Sequence, residues 1–170
     1  MMSGLNAKGG CFAAAALLFS VATPAEAAIG CWDETRAAAA EVRDLQLRLM
    51  VGTLRCQAKG IDVSDAYNRF MLANRITVRD ANRVIMDQFL AGYGSEAHYY
   101  HDRFDTALAN VYGGYETDAS GCAETQALAD EATGAGGDPA ALIEIAKRVG
   151  TARALPGGRC AISFASVGGK

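Results

Sequence analysis

The sequence lacks the short motifs that mark the common enzyme classes. It contains no G-x-S-x-G nucleophile turn, no H-E-x-x-H zinc motif, no P-loop and no G-x-G-x-x-G dinucleotide pattern. The absence of C-x-x-C and C-x-x-C-H argues against thioredoxin-type redox chemistry and covalent haem attachment. The sequence therefore assigns no catalytic residue and no cofactor. We interpret the protein as a non-catalytic binding or structural module.

A strong charge of either sign and a long apolar run are also missing. The 16 basic and 19 acidic residues give a net charge of −3, which does not suit a nucleic-acid-binding protein. The longest apolar stretch, residues 11–22, has 12 residues, whereas a transmembrane helix needs about 20. We therefore expect neither a nucleic-acid partner nor a stable membrane span.

The amino-terminal segment has the layout of a secretory signal peptide. Lys8 precedes the apolar stretch, and Ala25-Glu26-Ala27 follows Pro24 as a small-residue cleavage site. The pattern predicts a cleaved leader over residues 1–27 and a mature protein in the periplasm or outside the cell. In an alternative reading, residues 28–31 form an imperfect lipobox and the protein is a lipoprotein anchored at Cys31.

The rest of the chain has the apolar periodicity of helices. We predict an all-α, single-domain bundle of about five helices over residues 28–164, with an extended carboxyl-terminal tail that is flexible over residues 165–170. The apolar run 161–164 is a candidate for an extended segment packed on the bundle. The expected helices begin and end at capping residues and glycines, and they cover residues 32–58, 62–91, 95–113, 118–133 and 138–150.

The second helix can be read in two ways. Residues 61–91 contain neither glycine nor proline, and the apolar stripe stays in phase, which favours one helix of about 30 residues. Alternatively, Thr77 to Asp80 supply a new cap and break the helix near Asn74. If Asn74 faces the core, its amide requires hydrogen-bond partners.

Four cysteines of the mature chain suggest two disulfides in an oxidising compartment. A continuous first helix separates Cys31 from Cys56 by about 37 Å, far beyond disulfide distance. This excludes Cys31–Cys56 and, with it, Cys122–Cys160. If the helices alternate in direction, Cys56 and Cys122 meet at one end of the bundle, so we predict Cys56–Cys122 and Cys31–Cys160.

One group of side chains has the character of metal ligands. His98, His101, Asp102 and Asp105 lie close together on the third predicted helix, and their residue types suit a transition metal. A small metal-binding protein or an enzyme that uses His98 and His101 is therefore an alternative function. The simpler interpretation is a solvated helix face, on which both histidines are surface residues. Asp44 and Arg48 on the first helix are likewise expected to pair on an outer face.

A further alternative is a carrier of a small apolar ligand. Aromatic residues recur at core positions of the second and third helices, and they fit either a packed core or an apolar slot between helices. The row consists of Tyr67, Phe70, Phe89, Tyr100 and Phe104.

Three segments resemble small exported helical proteins of alphaproteobacteria. They are residues 42–56, 66–75 and 100–110. The resemblance implies the same address and an all-helical fold over residues 31–164. That group has no assigned activity, so the resemblance carries no functional residue to this chain.

Overall fold

The structure, a computed structural model, describes residues 29–150 and 155–161. These residues form five α-helices and one short 3-10 turn, which confirms the predicted all-α bundle. The elements are α1 Glu34–Ala58, α2 Ser64–Tyr93, the 3-10 turn Gly94–Glu96, α3 Ala97–Gly113, α4 Ala119–Gly134 and α5 Pro139–Val149. The expected leader over residues 1–27 and the expected tail over 165–170 lie outside the described residues.

Local capping explains where three of the helices begin. The side chain of Asp33 accepts a hydrogen bond from the Arg36 amide, and Asp118 accepts one from Gly121 in the same way. Asp138 accepts from Ala140, and Pro139 occupies the first turn of α5, where its missing N–H costs nothing. Asp118 and Asp138 are the first residues of the helices predicted over 118–133 and 138–150, and Asp33 is the second residue of the helix predicted over 32–58.

The second helix is one continuous element of 30 residues, as the uninterrupted apolar stripe predicts. The helix ends at Tyr93, two residues beyond the predicted end at 91, and Gly94 follows as its C-cap. Gly92 has a packing role. A Cβ atom at this position would lie 2.8 Å from the Cα of Ile29, so glycine lets the amino-terminal segment cross α2 closely.

Helix α1 lies at the centre of the bundle and contacts each of the other four α-helices. Its buried residues therefore occur on several sides rather than along one stripe. Helix α2 packs against α1, α3 and α4, whereas the principal contact of α5 is with α1. The arrangement places α5 beside α1 as the outermost part of the fold.

Two disulfides close the fold with the predicted pairing. Cys56, at the end of α1, is bonded to Cys122 in the first turn of α4, and both residues are fully buried. Cys31 is bonded to Cys160, which joins residues 129 positions apart. Two disulfides indicate an oxidising, extracytoplasmic environment. Within residues 29–150 and 155–161, no helix is long and apolar enough to cross a bilayer.

The Cys31–Cys160 bond belongs to a strap, which we define as residues 29–33 together with residues 155–160. The two halves form a parallel bridge between Trp32 and Arg159. The Trp32 amide donates to the Gly158 carbonyl at 2.8 Å, and the Cys160 amide donates to the Trp32 carbonyl at 2.9 Å. The segment that packs on the bundle, residues 155–160, lies directly before the predicted run 161–164. Of that run, Ala161 is exposed, and residues 162–164 lie outside the described residues.

Trp32 connects the strap to the core. Its ring is stacked on Phe104 and meets the edge of Phe89, with centroid distances of 5.8 and 6.0 Å. Its indole N–H donates to the Pro156 carbonyl at 2.7 Å, which satisfies the polar atom of an otherwise buried side chain. The first predicted helix accordingly begins two residues later than expected, at Glu34, because Trp32 belongs to the strap.

Candidate functional site

A large open groove lies between α1, α2 and α5. It has a volume of about 670 Å³, within the range of about 300–1,000 Å³ that is usual for small-molecule sites. Residues of α1 (34–42), of α2 (76–84) and of the segment 137–147 line it, together with Arg159 of the strap. We define this surface as the groove.

Small side chains explain why the three helices leave a gap here. The first turns of α1 contain four consecutive alanines, and two of them, Ala38 and Ala39, line the groove. Ala81 and Ala140 lie on the α2 and α5 walls. Aliphatic side chains complete an apolar lining, and these are Val42, Ile76, Val84, Pro139 and Ile143.

The rim of the groove carries more negative than positive charge. Four carboxylates line it, from Glu34, Glu41, Asp80 and Glu144, against the two cations Lys147 and Arg159. Lys147 is 3.1 Å from Glu144, and Arg159 pairs with Glu41. The hydrogen bond that Lys147 donates to Glu144 raises the pKa of Lys147, and the charges of Glu41 and Glu34 act in the same direction. Asp80 is 3.4 Å from Arg79 and Arg83 outside the groove, so Glu34 and the second carboxylate oxygen of Glu41 are the acceptors that remain for a cationic or hydrogen-bond-donating end of a ligand.

Glu41 supplies a second indication of a polar ligand group. Its Oε1 accepts from Arg159, while its Oε2 is buried with no hydrogen-bond partner within the described residues. A buried acceptor without a partner is costly, which makes such an atom a candidate contact for a ligand donor. Glu41 also borders a smaller cavity of about 120 Å³ beside Asp44 and Gly150.

Buried hydrogen bonds fix the end of the groove where α5 begins. The Asn74 amide donates to the Ala132 carbonyl at 2.9 Å and accepts from the Gly137 amide at 3.1 Å. The Thr77 hydroxyl donates to the Gly137 carbonyl at 2.9 Å. Asn74 is fully buried, so the requirement for partners that the sequence predicts is met.

The predicted histidine cluster is divided between surface and interior. His98 is exposed, and the Asp102 side chain is 83% exposed, as expected of a solvated face. The expectation is wrong for His101, whose side chain is only 13% exposed and meets the edge of Phe89 at 5.8 Å. The reason is that α3 packs against both α1 and α2, which leaves it a narrow solvated face.

Asp105 is engaged in an ion pair rather than in a cluster with the histidines. Arg43 of α1 donates to both carboxylate oxygens, and its Nη1 donates to Gln46 at 2.6 Å. The His101 Nδ1 lies 3.8 Å from Asp105 Oδ2, beyond hydrogen-bonding distance. Within residues 29–150 and 155–161, no group of three or more His, Cys, Asp or Glu side chains is placed to hold a metal ion.

Burial also alters the chemistry of a tyrosine near this ion pair. Loss of solvent around the half-buried ring raises the pKa of Tyr67, and Gln46 and the charge of Arg43 oppose the change. The aromatic row to which Tyr67 belongs is core. Phe70, Phe89 and Phe104 are buried, and the two tyrosines pack against them. The groove does not involve this row, so it lies elsewhere than the aromatic slot that the sequence suggests.

The expected outer-face pair of Asp44 and Arg48 is wrong. Asp44 is buried and accepts a hydrogen bond from the Tyr112 hydroxyl at 2.7 Å. Arg48 donates to the Val149 carbonyl and lies over the Tyr112 ring. The i,i+4 spacing gave no sign of this, because Tyr112 is 68 residues from Asp44 in sequence.

A second cavity of about 230 Å³ lies between α1, the end of α3 and the start of α4. Arg48 and Arg55 face it, together with Glu116 and Glu124. Arg55 donates to the Tyr112 and Gly113 carbonyls and, at 2.5 Å, to the Thr117 hydroxyl. Its position caps the end of α3, where a cation is favourable, so we assign it a structural role.

Comparison with known proteins adds no further assignment. No protein family, no curated protein and no solved structure matches the chain. The resemblance to exported alphaproteobacterial proteins stays a prediction.

Proposed function

We propose that the protein is an exported binding protein, periplasmic or secreted, that carries a small and mostly apolar molecule in the groove. The observation that carries the proposal is the groove itself, an apolar concave surface of about 670 Å³ between α1, α2 and α5. No catalytic constellation is needed for this role. The two disulfides support the exported address.

The charge of the rim narrows the class of ligand. An apolar body suits the alanine and valine lining, and an amino or ammonium end suits the carboxylates of Glu34 and Glu41. An anionic amphiphile of the same length would place its charge among these carboxylates. The proposed ligand is therefore an apolar amine or another apolar molecule with a hydrogen-bond-donating end.

The proposal is tested with a neutral fluorescent probe, N-phenyl-1-naphthylamine, and the mature protein. We expect saturable binding that weakens at least tenfold in the double variant Ala38→Leu/Ala140→Leu, because the new side chains fill the groove from opposite walls. The matched control is Ala123→Leu/Ala127→Leu, two exposed positions on α4 outside the groove. Decylammonium should displace the probe at a concentration at least tenfold lower than decanoate.

Three results would contradict the proposal. The first is a wild-type protein that does not bind the probe. The second is a groove-filled variant that binds like its control. The third concerns the ligand class alone: equal displacement by decylammonium and decanoate would retain the groove as a site and refute the role of the carboxylates. Glu41→Gln should remove the preference between the two amphiphiles, whereas Glu96→Gln, on the exposed 3-10 turn, should keep it.

A further inference from the structure

The face of α2 opposite the core carries an exposed row of side chains that nothing in the described structure covers. Leu72, Ile76 and Leu90 are large apolar residues exposed by 72%, 56% and 46%. Arg79 and Arg83 lie between them and are also exposed. Only Ile76 of this row borders the groove, so the row is a separate surface, which we call the α2 outer face.

The spacing of the row is that of a helix-packing seam. Positions 72, 76, 79, 83, 86 and 90 alternate steps of four and three, the pattern that keeps residues facing a partner helix. The row runs over 18 residue steps from position 72 to position 90, or about 27 Å at 1.5 Å per residue. Met86, the remaining member, is half-buried and packs against the core.

The centre of the α2 outer face is positively charged. Arg75 flanks Arg79 and Arg83, and the carboxylate of Asp80 lies 3.4 Å from both Arg79 and Arg83. Asp87, four residues after Arg83, is also exposed, so residues 72–90 carry three arginines against two carboxylates. The Asp80 ion pairs are long and exposed, so the face keeps a net positive charge. A complementary partner therefore has apolar residues at both ends of its contact surface and acidic residues in the middle.

Three other candidates for covering the α2 outer face fit poorly: a second copy of this chain, a membrane surface and the chain's own remaining segments. In a second copy packed antiparallel through this face, Arg79 would lie opposite Arg83, and parallel packing would place each arginine against itself. A membrane surface requires a broad apolar face, whereas here the centre line of the face is arginine. The chain's own segments 1–28, 151–154 and 162–170 contain one acidic residue, Glu26, and therefore supply no row of carboxylates.

We propose that the α2 outer face docks an amphipathic helix of another protein, with apolar residues at both ends of its contact stripe and carboxylates in the middle. The apolar ends cover Leu72, Ile76 and Leu90. The carboxylates pair with Arg79 and Arg83, where the planar guanidinium accommodates two parallel hydrogen bonds. The ion pairs specify the partner, and the apolar contacts supply most of the attraction.

The test uses a synthetic 21-residue helical peptide as the probe. It carries leucine at the four outer positions of a 4-3 seam and glutamate at the two central ones, and a twin peptide carries lysine instead of glutamate. The seam positions are symmetric about the centre of the peptide, so the same peptide can dock parallel or antiparallel to α2. Fluorescence anisotropy with the mature protein should show that Arg79→Glu/Arg83→Glu weakens binding of the glutamate peptide at least tenfold and strengthens binding of the lysine peptide.

The matched control is Lys59→Glu/Arg103→Glu, which makes the same change in net charge at exposed positions away from α2. This variant should bind the glutamate peptide as the wild type does. Equal weakening by the control would reveal non-specific charge attraction and overturn the proposal, as would the absence of binding to the glutamate peptide. Binding to phosphatidylglycerol vesicles that is lost in the α2 variant, or a dimer in sedimentation that is lost there, would assign the face to a different occupant and equally refute it.

Discussion

Asn74 is predicted to be the most sensitive polar residue of the bundle. Its fully buried amide joins three parts of the chain: α2, the end of α4 at Ala132, and the glycine loop at Gly137 that leads into α5. Truncation to alanine removes these connections and leaves buried backbone groups without their partners. We therefore expect Asn74→Ala to destabilise the protein well beyond a surface substitution.

The magnitude follows from what each partner retains. The Phe70 carbonyl belongs to the hydrogen-bond ladder of α2 and loses little, and the Ala132 carbonyl keeps the amide of Ala135 at 3.3 Å. The Gly137 amide loses its side-chain acceptor at a half-buried position, which costs about 1–2 kcal/mol, the lower part of the range for a buried donor. With about 1 kcal/mol for the bond to Ala132 and a small cavity term, the loss is about 3 kcal/mol. For a chain of this size that lowers Tm by about 10 °C.

The assay is urea unfolding followed by circular dichroism, with the disulfides intact. Asn68→Ala is the control, an exposed asparagine on the same helix, and should stay within about 0.5 kcal/mol of wild type. Asn74→Asp adds a pH test: burial raises the pKa of the new carboxyl in the folded state, so its deficit relative to wild type should grow as pH rises from 4 to 7. A loss in Asn74→Ala no larger than that of the control would refute the reasoning.

Two further predictions concern single side chains. In the same assay, Gly157→Ala should lower the free energy of unfolding by at least about 2 kcal/mol more than Gly158→Ala. Both glycines have a left-handed backbone, so both variants bear that cost. Only at position 157 would the new Cβ also meet the Ile29 carbonyl oxygen, at 2.5 Å. Equal losses in the two variants would refute this prediction and show that the strap shifts to accommodate the new Cβ. His101→Phe should raise Tm and add about 1 kcal/mol of stability at pH 7, since the buried Nε2 has no partner within the described residues; His98→Phe, at an exposed position, should change it by less than about 0.5 kcal/mol. A destabilised His101→Phe protein would show that the imidazole has a role in this packing.

Local chemistry explains which parts of the fold could be predicted from sequence. Asp33, Asp118 and Asp138 mark helix starts because a cap acts within three residues of itself. The length of one helix and the distance limit of a cystine excluded one of the three disulfide pairings, and the assumption that successive helices alternate in direction chose between the other two. These inferences need only local chemistry and a simple up-and-down order of helices, and the structure agrees with them.

The failures all involve long-range packing. The sequence did not indicate the packing role of Gly92, which lets Ile29 approach α2. Asp44 reads as a surface residue, but α1 is surrounded by four helices and has few outer positions. The groove itself depends on the relative placement of three helices, and the run of alanines in α1 was its one local sign. Helical periodicity gives the face of a residue but not the neighbour that covers it.

The hydrogen bonds of Asn74 and Thr77 connect stability to the groove. Both side chains hold Gly137, the residue directly before the Asp138 cap of α5, and the first turn of α5 supplies the Pro139 and Ala140 wall. At its other end, α5 is held by Arg48 through the Val149 carbonyl. Neither disulfide includes α5. The position of this wall therefore depends on a few hydrogen bonds and on packing against α1, so a substitution at Asn74 will alter the groove as well as the stability of the fold.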